Sequence, residues 1–169
     1  MTKTEIIQQQ CKTLKLSALS ANLAPIILKA EKEQFSYLDL INVLMNTELE
    51  HRKEKDKERR TSQARLPLSY NLDLYDTSFP NGLDVKRFKQ LRELTWLEQG
   101  YNLILMGPSG TSKTYLAAGL CFDAIEKGYR AYFKTMEDLV KILKMKDITR
   151  SANVEYKRIT KAHLVVIDD

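Results

Sequence analysis

Residues 103–119 read LILMGPSGTSKTYLAAG and join a short apolar run, a glycine-rich turn and the beginning of a helical pattern. An apolar run that does not alternate with polar residues is typical of a strand covered on both faces of a parallel sheet. A strand, a glycine-rich turn and Lys-Thr at the start of a helix together form the context of a phosphate-binding loop. The stretch therefore predicts an α/β fold in which the turn binds the phosphates of a nucleotide.

The predicted phosphate loop, residues 107–114, offers several kinds of contact to a triphosphate. Its glycines allow backbone N–H groups to turn toward the phosphates, and the N-terminus of the following helix adds partial positive charge. We expect Lys113 to reach the β- and γ-phosphates and the Thr114 hydroxyl to ligate Mg²⁺, so the predicted cofactors are ATP and Mg²⁺. The residues predicted to bind the nucleotide are Gly107, Pro108, Ser109, Gly110, Thr111, Ser112, Lys113 and Thr114.

Ser112 departs from the motif, which requires glycine immediately before the lysine. If this position keeps a positive φ, a serine there costs about 1–2 kcal/mol, and its Cβ crowds the approach to the phosphates. The other fixed positions Gly107, Lys113 and Thr114 are present in the correct context. We therefore expect nucleotide binding that is weaker than a Ser112→Gly variant would show. The alternative is a glycine-rich turn without a ligand.

A second apolar run, Leu164-Val165-Val166-Ile167, ends in Asp168 and Asp169. Ligands of open α/β sheets bind at the carboxyl ends of the strands, so this run would carry both acids to the edge where the phosphates lie. We expect Asp168 to hold Mg²⁺ together with Thr114, and Asp169 to orient or activate the attacking water. The predicted catalytic residues are thus Lys113 and Asp169. The alternative is a strand that ends in two solvated acids.

The rest of the chain predicts two folded parts and a connector. Residues 1–66 read as an N-terminal helical domain, which includes a helix from Tyr37 to the low sixties that Ser36 caps, and Pro25 should bend or split an earlier helix. Residues 67–84 read as a linker because they contain the turn signals Pro67, Pro80, Asn81 and Gly82. Residues 85–169 read as α/β. Their predicted helices are 85–99, 113–127, 136–145 and 154–161, and their predicted strands are 103–106, 131–133 and 164–167.

Basic residues concentrate between His51 and Arg65, where seven Lys or Arg stand against three acids, in a chain of net charge +5. Such a basic helix could contact DNA phosphates, which would make binding steeply dependent on salt. A charged helix face that is only solvated is the equally open alternative. The candidate DNA-binding residues are Arg52, Lys53, Lys55, Lys57, Arg59, Arg60 and Arg65.

Other classes of protein find little support in the composition. The two cysteines and two histidines have no metal-ligand spacing, which argues against a zinc or redox site. No run approaches the roughly 20 apolar residues needed to span a bilayer, and no signal-peptide pattern follows Met1. We therefore expect a cytoplasmic protein without a membrane partner.

Taken together, these motifs resemble the IstB-like family, the ATPase helpers of insertion-sequence transposition, which are related to DnaC-type helicase loaders. The resemblance implies an AAA+ core of three-layer αβα architecture behind an N-terminal helical domain. It also implies oligomerisation of identical subunits on double-stranded DNA and delivery of a target site to the transposase of the same element. The similarity is carried by residues 14–16, 35–38, 77–79, 82–84, 102–108, 113–117 and 159–169 and by the charged run through Arg60.

The resemblance also implies that parts of the ATPase follow Asp169. In this family a later strand lies between the phosphate-loop strand and the strand ending in the acids, and a sensor residue and an arginine finger come after it. We therefore expect a partial AAA+ domain, an empty slot between the first and third strands, and a C-terminally truncated member with impaired hydrolysis. A helicase-loader-like ATPase of DNA replication and a non-hydrolysing module that binds DNA or transposase remain the alternatives.

Overall fold

The computed structural model describes residues 2–68, 70–77 and 83–169. The chain divides into two compact units, Met1–Asp56 and Lys57–Asp169. The division falls within one long helix, Tyr37–Ala64. The predicted turn at Pro80, Asn81 and Gly82 lies outside the described residues, as do Ser78 and Phe79.

The first unit is helical, and its helices begin where the sequence supplies caps. In the first helix, the Thr2 hydroxyl accepts from the Glu5 amide at 3.2 Å and the Glu5 carboxylate accepts from the Thr2 amide at 2.8 Å. The predicted cap of the long helix is confirmed, since the Ser36 hydroxyl accepts from the Asp39 amide at 3.2 Å. The helices are α1 (Lys3–Thr13), α2 (Ser17–Lys32) and α3 (Tyr37–Ala64).

Helix α2 continues through Pro25, so of the two predicted outcomes, a bend or a split, the split is wrong. Proline removes one helical N–H and crowds the preceding turn, which costs about 3 kcal/mol in a helix interior. Leu19 and Leu23 before the proline and Ala30 after it are all buried. Packing on both sides of Pro25 therefore stabilises a helix that local preference alone would break.

Glu48 of α3 caps the first turn of α2. Leu16 at the N-cap of α2 offers no side-chain acceptor, but Oε2 of Glu48 accepts from the amides of Ala18 at 3.0 Å and Leu19 at 3.3 Å. The Arg52 Nε donates to Oε1 at 2.9 Å. Burial raises the pKa of Glu48, but the hydrogen bonds from Arg52 and the two amides outweigh it, and the pKa is lowered overall. The charged carboxylate therefore stabilises the packing of α3 on α2.

The variant Glu48→Gln should lower the free energy of unfolding by about 1–3 kcal/mol at neutral pH, because a hydrogen-bonded buried charge is lost. The pKa of Glu48 is depressed by folding, so this stabilisation is present above the usual pKa of a glutamate. It should be lost progressively as the pH falls from the usual pKa of a glutamate through the lowered pKa of the folded state, where the wild-type carboxyl becomes neutral as well. Urea unfolding followed by circular dichroism measures both effects.

The matched control is Glu50→Gln, which changes an exposed glutamate on the same helix. Equal losses of stability in the two variants at pH 7 would contradict the conclusion that Glu48 stabilises the protein by capping α2. A loss in Glu48→Gln that is undiminished at pH 3 would do so as well.

The core of the second unit forms around a helix, α6, that begins at Lys113. Two strands, β1 (Ala131–Thr135) and β2 (Leu164–Asp168), pair in parallel, with Ala131 opposite Leu164 and Thr135 opposite Asp168. The elements after the end of α3 are a 3₁₀ turn at Leu72–Leu74, α4 (Val85–Glu93), α5 (Thr95–Glu98), α6 (Lys113–Glu126), β1 (Ala131–Thr135), α7 (Met136–Met145), α8 (Arg150–Thr160) and β2 (Leu164–Asp168). At the level of fold class, this is the predicted mixed α/β chain, rich in helices and with a small parallel sheet.

A glycine on α6 allows the 3₁₀ turn to lie directly against that helix. A Cβ on Gly119 would lie 2.2 Å from Cγ of Leu72, far inside contact distance. Leu72 is itself buried in the core. Only a residue without a side chain fits at position 119 while Leu72 occupies this site.

Three predicted elements of this unit differ in the structure. The predicted helix 85–99 is interrupted at Leu94, which is fully buried in a left-handed conformation with φ 61°. Burial of the leucine outweighs the backbone strain, and the Trp96 Nε1 donates to the carbonyl of Leu91 beside the break. The helix predicted at 154–161 begins earlier, at Arg150, because the Thr149 hydroxyl accepts from the Ala152 amide at 3.3 Å.

The predicted strand 103–106 is wrong, because residues 101–108 have no regular secondary structure. A strand needs a hydrogen-bonded neighbour, and within the described residues the sheet contains only β1 and β2. Ile104 and Met106 are 78% and 87% exposed. A groove of about 630 Å³ runs between residues 101–105 and β2.

Within the described residues, every helix is too short or too polar to cross a membrane.

Candidate nucleotide-binding site

The glycine-rich turn leads directly into α6, which begins at Lys113 as predicted. Gly110 has φ 79°, and Ser112 has φ 57° and ψ 24°, so both adopt the left-handed conformation. The Ser112 side chain makes no capping hydrogen bond to the helix. The serine therefore holds a backbone geometry that favours glycine and leaves the first amides of α6 uncapped by a side chain.

Lys113 lies back over the turn. Its Nζ donates to the carbonyls of Gly107 at 2.9 Å and Pro108 at 2.7 Å. The Thr111 hydroxyl also donates to the Pro108 carbonyl, at 2.8 Å. An ammonium group has three donors, so Lys113 keeps one for a phosphate oxygen while two carbonyls fix its position.

The structure brings Thr114 and Asp168 together, although 54 residues separate them. The Thr114 hydroxyl lies 3.1 Å from Oδ1 and 3.0 Å from Oδ2 of Asp168. Thr114 is in the first turn of α6 and Asp168 ends β2, so the contact joins a helix N-terminus to the carboxyl end of a strand. A hydroxyl and a carboxylate are oxygen ligands of the kind that Mg²⁺ prefers, and the pair fits this ion.

Asp169 follows the strand and is exposed. It lines the same groove as Lys113 and Asp168. The predicted catalytic residues and one predicted metal ligand therefore border one cavity. Ser109 and Thr111 of the predicted loop are exposed, and of the predicted loop residues Lys113 lines the groove.

Tyr115 is a residue of this region to which the sequence analysis gave no role. Its hydroxyl donates to the Asn71 carbonyl, and its ring stacks on Tyr75 at a centroid distance of 6.1 Å. Tyr75 stacks in turn on Phe88 at 5.0 Å. This aromatic row ties the connector and α4 to the first turn of α6. These three aromatic residues are irregularly spaced in the sequence, so the sequence pattern did not predict that they pack together.

The candidate DNA-binding residues of α3 are largely engaged within the protein. Arg52 pairs with Glu48 and also donates to the Lys15 carbonyl at 3.2 Å. Lys57 pairs with Glu126, while Arg59 and Arg60 take part in further interactions. Lys53 and Lys55 are exposed.

Arg65, the last of these candidates, belongs to an ion cluster around Glu155. The Glu155 carboxylate lies 3.1 Å from Nζ of the buried Lys134, 3.0 Å from Arg158 and 3.7 Å from Arg65. Burial raises the pKa of Glu155, but Lys134 and the two arginines outweigh it, so the pKa is lowered. The cluster fastens α8 and the end of α3 to β1.

Comparison with known proteins now identifies the family. The model of the family described as IstB-like ATP binding protein matches residues 9–169. The chain belongs to this family. Two of the IstB-like relatives come from Bacteroides fragilis, and each is named "Insertion sequence IS21-like putative ATP-binding protein". A third, from Pseudomonas aeruginosa and named "Insertion sequence IS21 putative ATP-binding protein", is 28% identical over 156 residues, with 92% of this chain and 59% of the relative covered.

The two Bacteroides proteins align with nearly the whole IstB-like chain. One is 41% identical over 167 residues, which cover 99% of this chain and 63% of the relative. The other, from strain YCH46, is 43% identical over 163 residues, which cover 94% of this chain and 79% of the relative. The chain thus spans between three fifths and four fifths of the length of these relatives.

The variant Ser112→Gly should bind Mg-ATP more tightly than the wild type, by up to roughly tenfold, which corresponds to about 1.4 kcal/mol. Glycine removes the Cβ that we expect to crowd a bound phosphate. The strain at the observed φ of Ser112 is present without nucleotide, so its relief stabilises the free protein as well. Isothermal titration with Mg-ATP measures the difference. The control Ser109→Gly changes an exposed serine of the same turn, and an equal affinity in wild type and Ser112→Gly would refute the interpretation.

Proposed function

We propose that this protein binds ATP and Mg²⁺ at residues 107–114 and serves as a helper of DNA transposition. The observation that supports this most is the contact of Thr114 with Asp168, beside Lys113 and at the end of a glycine-rich turn. A cation, a hydroxyl and a carboxylate converge there at a helix N-terminus, as binding of a metal-complexed triphosphate requires.

Each residue of the site takes a definite role in this proposal. Backbone amides of residues 109–113 donate to phosphate oxygens, and Lys113 neutralises the β- and γ-phosphates. Thr114 and Asp168 would hold Mg²⁺, which would withdraw negative charge from the phosphates. Asp169 orients the attacking water.

The fold assigned to the site is an AAA+ domain of three αβα layers. In this proposal β1 and β2 belong to its parallel sheet, and α6 covers that sheet. Residues 1–66 form the N-terminal helical domain, and residues 67–84 form the linker. The family match over residues 9–169 and the parallel pairing of β1 with β2 support the assignment.

The proposed partners are double-stranded DNA, the transposase of the same element and further copies of this chain, all in the cytoplasm. Relatives named after insertion sequences favour transposition over helicase loading.

We expect slow hydrolysis by the isolated chain, because an arginine finger supplied from another subunit can contribute about 10³–10⁵ in rate. Phosphate release well above that of a Lys113→Ala control would contradict this expectation.

Binding of ATP is tested with two variants. Lys113→Ala should weaken binding of Mg-ATP by about 10–100-fold, because a charge-assisted contact of about 1.5–3 kcal/mol is lost. Asp168→Asn should weaken binding in Mg²⁺ but have little effect in EDTA, because its contribution passes through the metal. Titration with a fluorescent ATP analogue measures both.

The result that would overturn the proposed site is equal affinity in wild type and Lys113→Ala. A loss in Asp168→Asn that is as large in EDTA as in Mg²⁺ would remove the metal role of this aspartate. Arg87→Ala serves as the control for a cation lost elsewhere in the same unit, at an exposed position of α4.

A further inference from the structure

Helix α8 separates its charges between two faces. Its one acid, Glu155, has only 14% of its side chain exposed and lies in the ion cluster with Lys134, Arg65 and Arg158. The acid and one base of the helix are therefore used to fasten it to the rest of the unit. The charge left on the outer face is purely positive.

The outer face of α8 carries three cations in one line. Arg150 and Lys157 of α8 are separated by seven residues, a spacing that places them on the same side of the helix, and Lys161 follows four residues later at its C-cap. All three side chains are exposed, and none forms an ion pair or a side-chain hydrogen bond within the described part of the chain. At about 1.5 Å per residue, the line is about 16 Å long.

Helix α7, which packs against α8, carries two further exposed cations. Lys141 and Lys144 are exposed and, among the described residues, they likewise have no ionic partner. The acids of α7, Glu137 and Asp138, lie in its first turn, where the helix dipole favours negative charge.

We propose that this surface of α8 and α7, defined by Arg150, Lys157, Lys161, Lys141 and Lys144, binds the phosphate backbone of double-stranded DNA. The inference rests on the proposed function, in which the protein works on DNA, and it assigns the contact to the second unit. A line of about 16 Å covers about five base-pair steps of roughly 3.4 Å. Lysines act as point charges on phosphates, so this contact does not read the base sequence.

Five of the seven candidate cations between residues 52 and 65 are engaged within the protein, which supports this placement, while Lys53 and Lys55 stay exposed. Arg52, Lys57 and Arg65 already neutralise carboxylates of the protein, so a phosphate would have to replace an existing partner. The cations of α8 and α7 meet no such competition. They can release counterions from DNA at no cost in internal ion pairs.

The experiment compares two double variants of the full chain on a fluorescein-labelled duplex of about 25 base pairs, by fluorescence anisotropy at several salt concentrations. Lys157→Gln with Lys161→Gln should weaken binding at least tenfold and reduce the slope of log affinity against log salt by about 2, at roughly 0.9 per phosphate contact. The matched control is Lys53→Gln with Lys55→Gln, two exposed lysines of α3, which should change the affinity less than threefold. Circular dichroism and Mg-ATP titration confirm that both variants fold and that the nucleotide site is intact.

The outcomes separate this inference from the function on which it rests. If the wild type fails to bind the duplex at low salt, the DNA-binding part of the proposed function is wrong. If the wild type binds and the α8 variant binds with the same affinity and salt slope, only the inference is wrong. Equal losses in both variants also overturn it, since binding would then follow total charge. A variant that keeps DNA binding but no longer associates with the transposase would assign the surface to a protein partner.

Discussion

The Thr114 hydroxyl reaches the Asp168 carboxylate because α6 begins at the same edge of the second unit at which β2 ends. Every role assigned to the nucleotide site requires this alignment. A shift of α6 by one residue would turn Thr114 away from the strand and move Lys113 off the carbonyls of the turn. The phosphate loop, the proposed metal ligands and the aspartate proposed to orient water therefore depend on the position and rotation of α6.

The packing around α6 fixes its position. Leu116, Leu120 and Ile125 of this helix are buried in the core of the unit. The aromatic row of Tyr115, Tyr75 and Phe88 fixes its first turn from the outside. Burial of this apolar surface contributes far more than the hydrogen bonds of the exposed loop, so the core stabilises a loop that carries backbone strain at Ser112.

The sequence predicted those elements whose signals are local. Ser36, with Asp39 three residues later, predicts the start of α3, and the glycine-rich turn before Lys113 predicts the start of α6. The pairing of Thr114 with Asp168 was also within reach, since both motifs place their residues at the carboxyl edge of a sheet.

What sequence pattern could not supply were interactions between distant residues. The break at Leu94, the continuity of α2 through Pro25 and the cap from Glu48 all depend on tertiary packing. The strand predicted at 103–106 failed for the same reason, because an apolar run becomes a strand only beside a hydrogen-bonded neighbour.

The close approach of Leu72 to Gly119 has a consequence for the rotation of α6 about its own axis. The side chains elsewhere on this helix would hold the 3₁₀ turn at a distance, and only the bare backbone at Gly119 admits Leu72. The contact between Leu72 and Gly119 therefore selects one rotation of α6 about its axis among those that hydrophobic packing alone would allow. Because Gly119 has no side chain, its contact with Leu72 also sets the direction of the Thr114 side chain, five residues earlier on the same helix.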